Sequence, residues 1–313
     1  MKPGPLLAAL LLGAAASGWS APFAYVPNEK AGTVSVVDTE RDSVVAVLHV
    51  AGRPRGIAIS ADGRRLYLSD QANNALAIVD LGRRELEGRI PLGQSPEGLA
   101  LSRDGRWLAA AVEEANAVVL IDTASAAVAA TIPTQGRNPE HAAFSPDGHW
   151  LYVTAEEGAQ VDVVDLASRR QVAAIEVGRR PRGIAFTADG RHAYVACELD
   201  STVYVIDTAA QRPIARIAAG EFSNGVAIAP DGGRVYISNG RGASVSVIDT
   251  ASRRVVATVP AGQRPWNMAL TPDGAKLYVA NGRSNTVSVI DTQRLVKVAE
   301  VPVGQAPWGV AIR

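Results

Sequence analysis

The chain of 313 residues holds one cysteine, Cys197. An internal disulfide is excluded, and so are CxxC metal or redox sites and CxxCH haem attachment. No basic residue adjoins Cys197 to depress its pKa, so it reads as a small, partly buried filler after a strand at residues 193–196. Histidine is scarce too. His49, His141, His149 and His192 are the only four, which leaves a multi-histidine metal centre without ligands. Neither charge sign is in excess, with 31 Lys+Arg against 31 Asp+Glu. The basic surplus of a nucleic-acid binder is missing, as is charge steering toward a membrane. No Gly-rich phosphate loop leads into a helix, and no His-Glu-x-x-His or Gly-x-Ser-x-Gly motif occurs. Helical periodicity is absent throughout, so no helix is expected.

What is present is a repeat. Asp38, Asp80, Asp122, Asp165, Asp207, Asp249 and Asp291 are spaced 42, 42, 43, 42, 42 and 42 residues apart. Each closes a short alternating run, the first at residues 34–38 and the last at 287–291. Residues 265–304 show one whole unit. An apolar run at 267–271 meets Pro272-Asp273-Gly274, which is turn chemistry: Pro presets φ, Asp bonds its own backbone, and Gly accepts positive φ. Strands follow at 276–280, 287–290 and 296–303, separated by the polar loop 281–285 and by Asp291-Thr292. Seven such units predict an all-β fold: a seven-bladed β-propeller of four-stranded antiparallel blades.

The Asp-Gly turn occurs only six times, at Asp62, Asp104, Asp147, Asp189, Asp231 and Asp273. The seventh is missing where the chain ends. Residues 310–313 read as an inner strand and residues 23–26 as a second strand, so the two termini are expected to share one blade and close the ring. Ahead of this domain, residues 1–20 read as a secretory signal. Lys2 is its positive region, and residues 6–16 form an apolar run too short to span a bilayer. The domain at 21–313 is therefore expected in the periplasm, as a soluble monomer without membrane insertion.

Leu151-Tyr152-Val153-Thr154, Ala193-Tyr194-Val195-Ala196 and the run from Lys276 to Asn281, with the Val-Ser-Val-Ile-Asp that follows, resemble the YVTN repeat. Gly262-Gln263-Arg264-Pro265-Trp266, the loop from Asn281 to Asn285 and the run 304–310 are similar to the seven-repeat propellers that accompany PQQ-dependent alcohol catabolism. That resemblance implies a periplasmic partner: a quinoprotein dehydrogenase, its electron acceptor or a transporter component. It implies no catalytic residues and no bound cofactor.

Residues common to every unit build the ring, so function is sought where units differ. The Asp-Gly and Asp-Thr turns share one face and barely vary. On the other face, the position after the linker proline reads Arg55, Glu97, Glu140, Arg182, Asn224, Trp266 and Trp308. The next position is Gly in five copies but His141 and Asn267 in two. Glu97, Glu113, Glu114, Glu140, His141, Glu156 and Glu157 form an arc over two adjacent blades, flanked by Arg55 and Arg182. Trp266 and Trp308 stand on the opposite part of the ring. Three readings stay open. The charges can be paired among themselves while the indoles cap the channel. The face can bind a ligand or partner through Arg55, Glu97, Glu140, His141, Arg182, Trp266 and Trp308. Or the carboxylates and His141 can serve a metal-dependent, lactone-hydrolase-like enzyme. The second is preferred: a non-catalytic docking protein holding no metal.

Overall fold

The computed structural model describes residues 22–313. The expected export signal, residues 1–20, lies outside them. Seven four-stranded antiparallel sheets surround one axis. Blade 2 covers residues 54–91, blade 3 96–133, blade 4 139–176, blade 5 181–218, blade 6 223–260 and blade 7 265–302. Each is a meander whose strands follow chain order from hub to rim.

Blade 1 is composite. Its outer strands are Phe23–Asn28, Thr33–Asp38 and Ser43–Leu48, and its inner strand is Ala311–Ile312 from the other end of the chain. Ala24 pairs with Ile312 and Tyr25 with Ala311. Backbone bonds from Phe23 N to Arg313 O at 2.9 Å and from Trp308 N to Pro27 O at 3.0 Å extend the clasp. Lys276 Nζ of blade 7 reaches Asp42 of blade 1 at 2.8 Å, and the Tyr278 hydroxyl donates to the same carboxylate. The inner strand is shorter than residues 310–313, but the expected closure is present.

The turns form as the local chemistry requires. All seven repeat aspartates accept a backbone N–H from two or three residues on, at 2.6–3.1 Å. In the Asp-Gly turns Asp62 Oδ1 accepts from Ser60 Oγ and Arg64 N, while Gly63 adopts φ 73°. Among the described residues the one helical element is a single 3-10 turn, Glu198–Asp200.

The core lies between blades. Val34, Val36 and Leu48 of blade 1 pack on Leu66, Leu68 and Val79 of blade 2, and similar clusters follow around the ring. Middle strands such as Thr33–Asp38 are buried on both faces, because each sheet is covered from both sides. Outer strands such as Arg254–Pro260 keep an exposed alternate face. Cys197 is fully buried, and burial pushes its thiol up to about 12, so it is inert filler. His49 and His149 are exposed, and His192 is half-buried.

Candidate functional site

A register shift builds the site. In blades 2 to 7 the inner strand pairs at the linker residue and then skips two positions: Pro54 pairs with Asp70, and the next pair is Ile57 with Leu68. Two residues oppose one, which bends the strand and turns side chains out of the ladder. The bulged pair is the residue after the linker proline and its successor, the two positions at which the units differ. A second-strand hydroxyl replaces the missing bond: Gly56 N donates to Ser69 Oγ at 2.7 Å, Gly225 N to Ser238 Oγ at 2.8 Å and His141 N to Thr154 Oγ1 at 3.1 Å.

The successor is usually Gly because the neighbouring blade is too close for anything larger. A Cβ on Gly56 would lie 2.2 Å from the Glu97 carbonyl oxygen, and one on Gly225 2.5 Å from that of Trp266. His141 and Asn267 break the pattern and place side chains in the hub. The ring of hub charges then closes into pairs. Arg55 binds Glu97 at 2.5 Å and Glu29 at 3.2 Å. Arg182 binds Glu140 at 2.6 Å, Glu198 at 3.0 Å, and Glu156. Arg264 reaches Glu198 at 2.7 Å, and Arg180 touches Glu156 and Glu198. Gln71 and Ser95 donate to Glu97 as well.

Trp266 and Trp308 are not remote from the glutamate arc. Trp308 stacks on His141 with ring centroids 5.2 Å apart and 9° between planes. Trp266 meets Trp308 edge-on at 6.4 Å. The hub is narrow enough that opposite blades touch across it. Arg55, Glu140, Arg182, Asn224, Trp266, Asn267 and Trp308 line one cavity of about 70 Å3. Five of the seven expected residues therefore meet at one place. The other two, Glu97 and His141, are neighbours of that cavity through Arg55 and Trp308. Trp308 is only 6% exposed, so it is a wall and not a surface anchor; Trp266 is half-buried.

Several expectations need correction. Glu113 and Glu156, not Glu114 and Glu157, stand at the loop position equivalent to Glu29 and Glu198; the second-strand pairing sets this register. Glu114 and Glu157 face solvent, where Glu157 pairs with Arg137 at 3.4 Å. Asn239 and Asn281 are structural: each accepts the N–H of a linker glycine and donates to two hydroxyls in the next strand. Sequence reasoning did not select Glu29, Arg180, Glu198 or Arg264. The position before the linker residue held the available signal, since arginine stands there in blades 5 and 7 as Arg180 and Arg264.

Burial and charge set the protonation states. Burial pushes Glu97 up to about 8, helped by the neighbouring Glu140 charge and opposed by Arg55. Burial acts on Glu140 in the same direction, but Arg182, His141 and Arg55 outweigh it and hold this carboxyl below the usual range. Burial also pushes the His141 imidazolium down, against the pull of Glu140. Two neighbouring carboxyls are thus moved in opposite directions, Glu97 upward and Glu140 downward. Glu97 Oε2, Arg55 Nε and both His141 nitrogens are buried without a hydrogen-bond partner.

The raised Glu97 has a measurable consequence. Between pH 4.5 and about 8 the folded chain retains a proton that the unfolded chain has lost. The stabilisation is complete below the unfolded value and disappears as pH rises through the folded one. Stability should therefore fall with rising pH in this window, by at most ~1.4 kcal/mol per pH unit from this group. Urea unfolding at several pH values checks it: Glu97→Gln should flatten the slope, and a variant with the wild-type slope would remove Glu97 as its cause.

Comparisons with known proteins agree on architecture. A model for the seven-bladed β-propeller lactonases matches residues 166–300, and one for the cytochrome d1 haem domain matches residues 22–143. The chain is a β-propeller. No curated protein gives a significant sequence match. Among solved structures, Kuenenia stuttgartiensis hydrazine synthase is similar at 26% identity and TM-score 0.78, over 86% of this chain and 92% of that one. A functionally unknown protein from Desulfotomaculum acetoxidans aligns at 16% identity and TM-score 0.81, over 93% of this chain and 98% of its own. Dihydro-heme d1 dehydrogenase NirN, solved in complex with DHE, aligns at 17% identity and TM-score 0.66, over 92% of this chain and 74% of its own. At these last two identities the likeness concerns the fold alone.

Proposed function

We propose that this propeller is a non-catalytic periplasmic docking protein acting through the linker face. On this reading it is a monomer that serves PQQ-dependent alcohol oxidation or the associated transport. Its partner is a quinoprotein dehydrogenase, that enzyme's electron acceptor or the transporter's periplasmic component. One observation carries the reading: Arg55, Glu140, Arg182, Trp266 and Trp308, singled out because they depart from the repeat, converge on one hub cavity. Unpaired buried polar atoms adjoin it, and such atoms are costly unless something meets them. The half-buried Trp266, with the Arg264 guanidinium 5.8 Å from its ring, is the accessible contact. Arg55 and Arg182 would fix orientation more than affinity, since each is already paired with a buried glutamate, Glu29 and Glu140.

The tagged protein should capture such a partner from periplasmic extract, and Trp266→Ala should lower the recovery several-fold without unfolding the chain. Equal recovery of the same proteins by both forms would sink the docking role of this face.

Two other readings have an observation behind them. The lactonase match favours a metal-dependent hydrolase at the acidic cluster. Against it, Arg55 and Arg182 already neutralise the carboxylates that a cation would use. Among the described residues no group of His, Cys, Asp or Glu is arranged to hold a metal. Stoichiometric metal in the purified protein would revive it. The cytochrome d1 match suggests a haem group. The residues do not fit one, because a cavity of about 70 Å3 falls far below the ~300 Å3 at which ligand pockets begin. His141, the one hub histidine, lies flat against Trp308.

A further inference from the structure

The opposite face, that of the Asp-Gly turns, carries an apolar recess. The last inner-strand position is large and apolar in every blade: Ile59, Leu101, Phe144, Phe186, Ile228, Leu270 and Ile312. Both aromatics fall in neighbouring blades 4 and 5. Between blades 3, 4 and 5 the inner-strand ends line an open recess of about 500 Å3, walled by Leu101, Phe144, Ile184 and Phe186. Space arises because blade 4 has Ala142 where blades 3 and 5 have Leu99 and Ile184. One wall is rigid: the Phe186 ring packs on Tyr152 at 4.7 Å.

The rim is equally uneven. The residue before the turn aspartate is Ala61, Pro146, Ala188, Pro230 or Pro272 in five blades, but Arg103 in blade 3. Arg103 lines the recess, and no carboxylate pairs with it among the described residues. Arg106, three positions on, shows the contrast: it pairs with Asp122 at 3.8 Å and lies over Trp107. Pockets of ~300–1,000 Å3 take small organic molecules, mostly through apolar walls with a few placed polar groups. An unpaired guanidinium at such a mouth selects a carboxylate.

We propose that this recess binds an amphiphilic monocarboxylate, with its aryl or alkyl body against Phe144 and Phe186 and its carboxylate on Arg103. The site lies on the face away from the hub cavity and does not depend on the docking role.

Calorimetric titration of the full mature chain with 3-phenylpropionate tests it, with 3-phenylpropanol as the uncharged counterpart of the same body. Saturable one-to-one binding of the acid, with weaker binding of the alcohol, is the expected result. Arg103→Glu should weaken the acid about tenfold and leave the alcohol unchanged. Ala188→Trp fills the mouth from an exposed turn and should abolish both while keeping the wild-type melting temperature. No saturable binding of the acid to folded protein would overturn the proposal, as would binding that neither substitution alters.

Discussion

Deletion of residues 310–313 should lower the melting temperature by about 10 °C or more, the larger of two stability effects expected here. The strand of the clasp is only two residues long, Ala311 and Ile312, yet it supplies the inner strand of blade 1. Val310 and Ile312 pack with Ala24, Val26, Tyr278 and Val289, bridging blade 1 to blade 7. Losing a buried Val or Ile costs roughly 1.5–3 kcal/mol each. In a domain of this size each kcal/mol moves the midpoint by about 2–4 °C. The deletion would also leave Phe23–Asn28 as a free strand edge facing the hub, open to pairing with other chains. Thermal unfolding followed by circular dichroism measures the effect, and an unchanged curve would mean that this strand does not close the ring.

The second large effect concerns Arg182. Its guanidinium is shared by Glu140, Glu156 and Glu198, and its side chain is 14% exposed. Replacing it with Met keeps the bulk but leaves three carboxylates facing one another. Removing one partner of a buried pair costs roughly 3–5 kcal/mol. The loss should depend on pH, in a direction that follows from Glu140. In the native chain this carboxyl is held below its usual range, so its contribution exists at neutral pH and is lost on acidification. Without Arg182 the largest of the charges opposing burial is gone, and the same group moves upward. The gap between Arg182→Met and wild type should then be widest near pH 7 to 8 and shrink toward pH 5. Urea unfolding at both pH values reads it. Arg137→Met provides the control, because the exposed Arg137–Glu157 pair is worth only about 0–1 kcal/mol. A pH-independent loss equal to that of the control would show that Arg182 is ordinary surface charge.

The wheel was legible because its instructions are local. An aspartate that bonds the backbone two residues on, followed by a glycine at positive φ, forms the same turn wherever it occurs. Seven copies leave little choice of architecture, and the missing seventh Asp-Gly turn marks the closure. The candidate site was legible in a weaker sense. Arg55, Glu97, Glu140, His141, Arg182, Trp266 and Trp308 stood out because they depart from their own repeat. Glu114 and Glu157 were counted in the arc with Glu113 and Glu156, because a pair of adjacent glutamates after a strand does not reveal which member turns toward the hub. Arg264 and Glu198 looked like ordinary loop charges, since nothing local links residues 66 positions apart.

Turn chemistry and repetition along the chain dictated seven blades and their strand order, since each depends on contacts within about one unit, and the missing seventh turn marked the terminal blade that the two chain ends share. Closure of the ring decided the rest. It brought Trp308 onto His141, set Arg182 among three carboxylates and buried Glu97 beside Glu140, which raises its carboxyl. Hub diameter, burial and field at that point are properties of seven strands converging on one axis, and no single unit carries them.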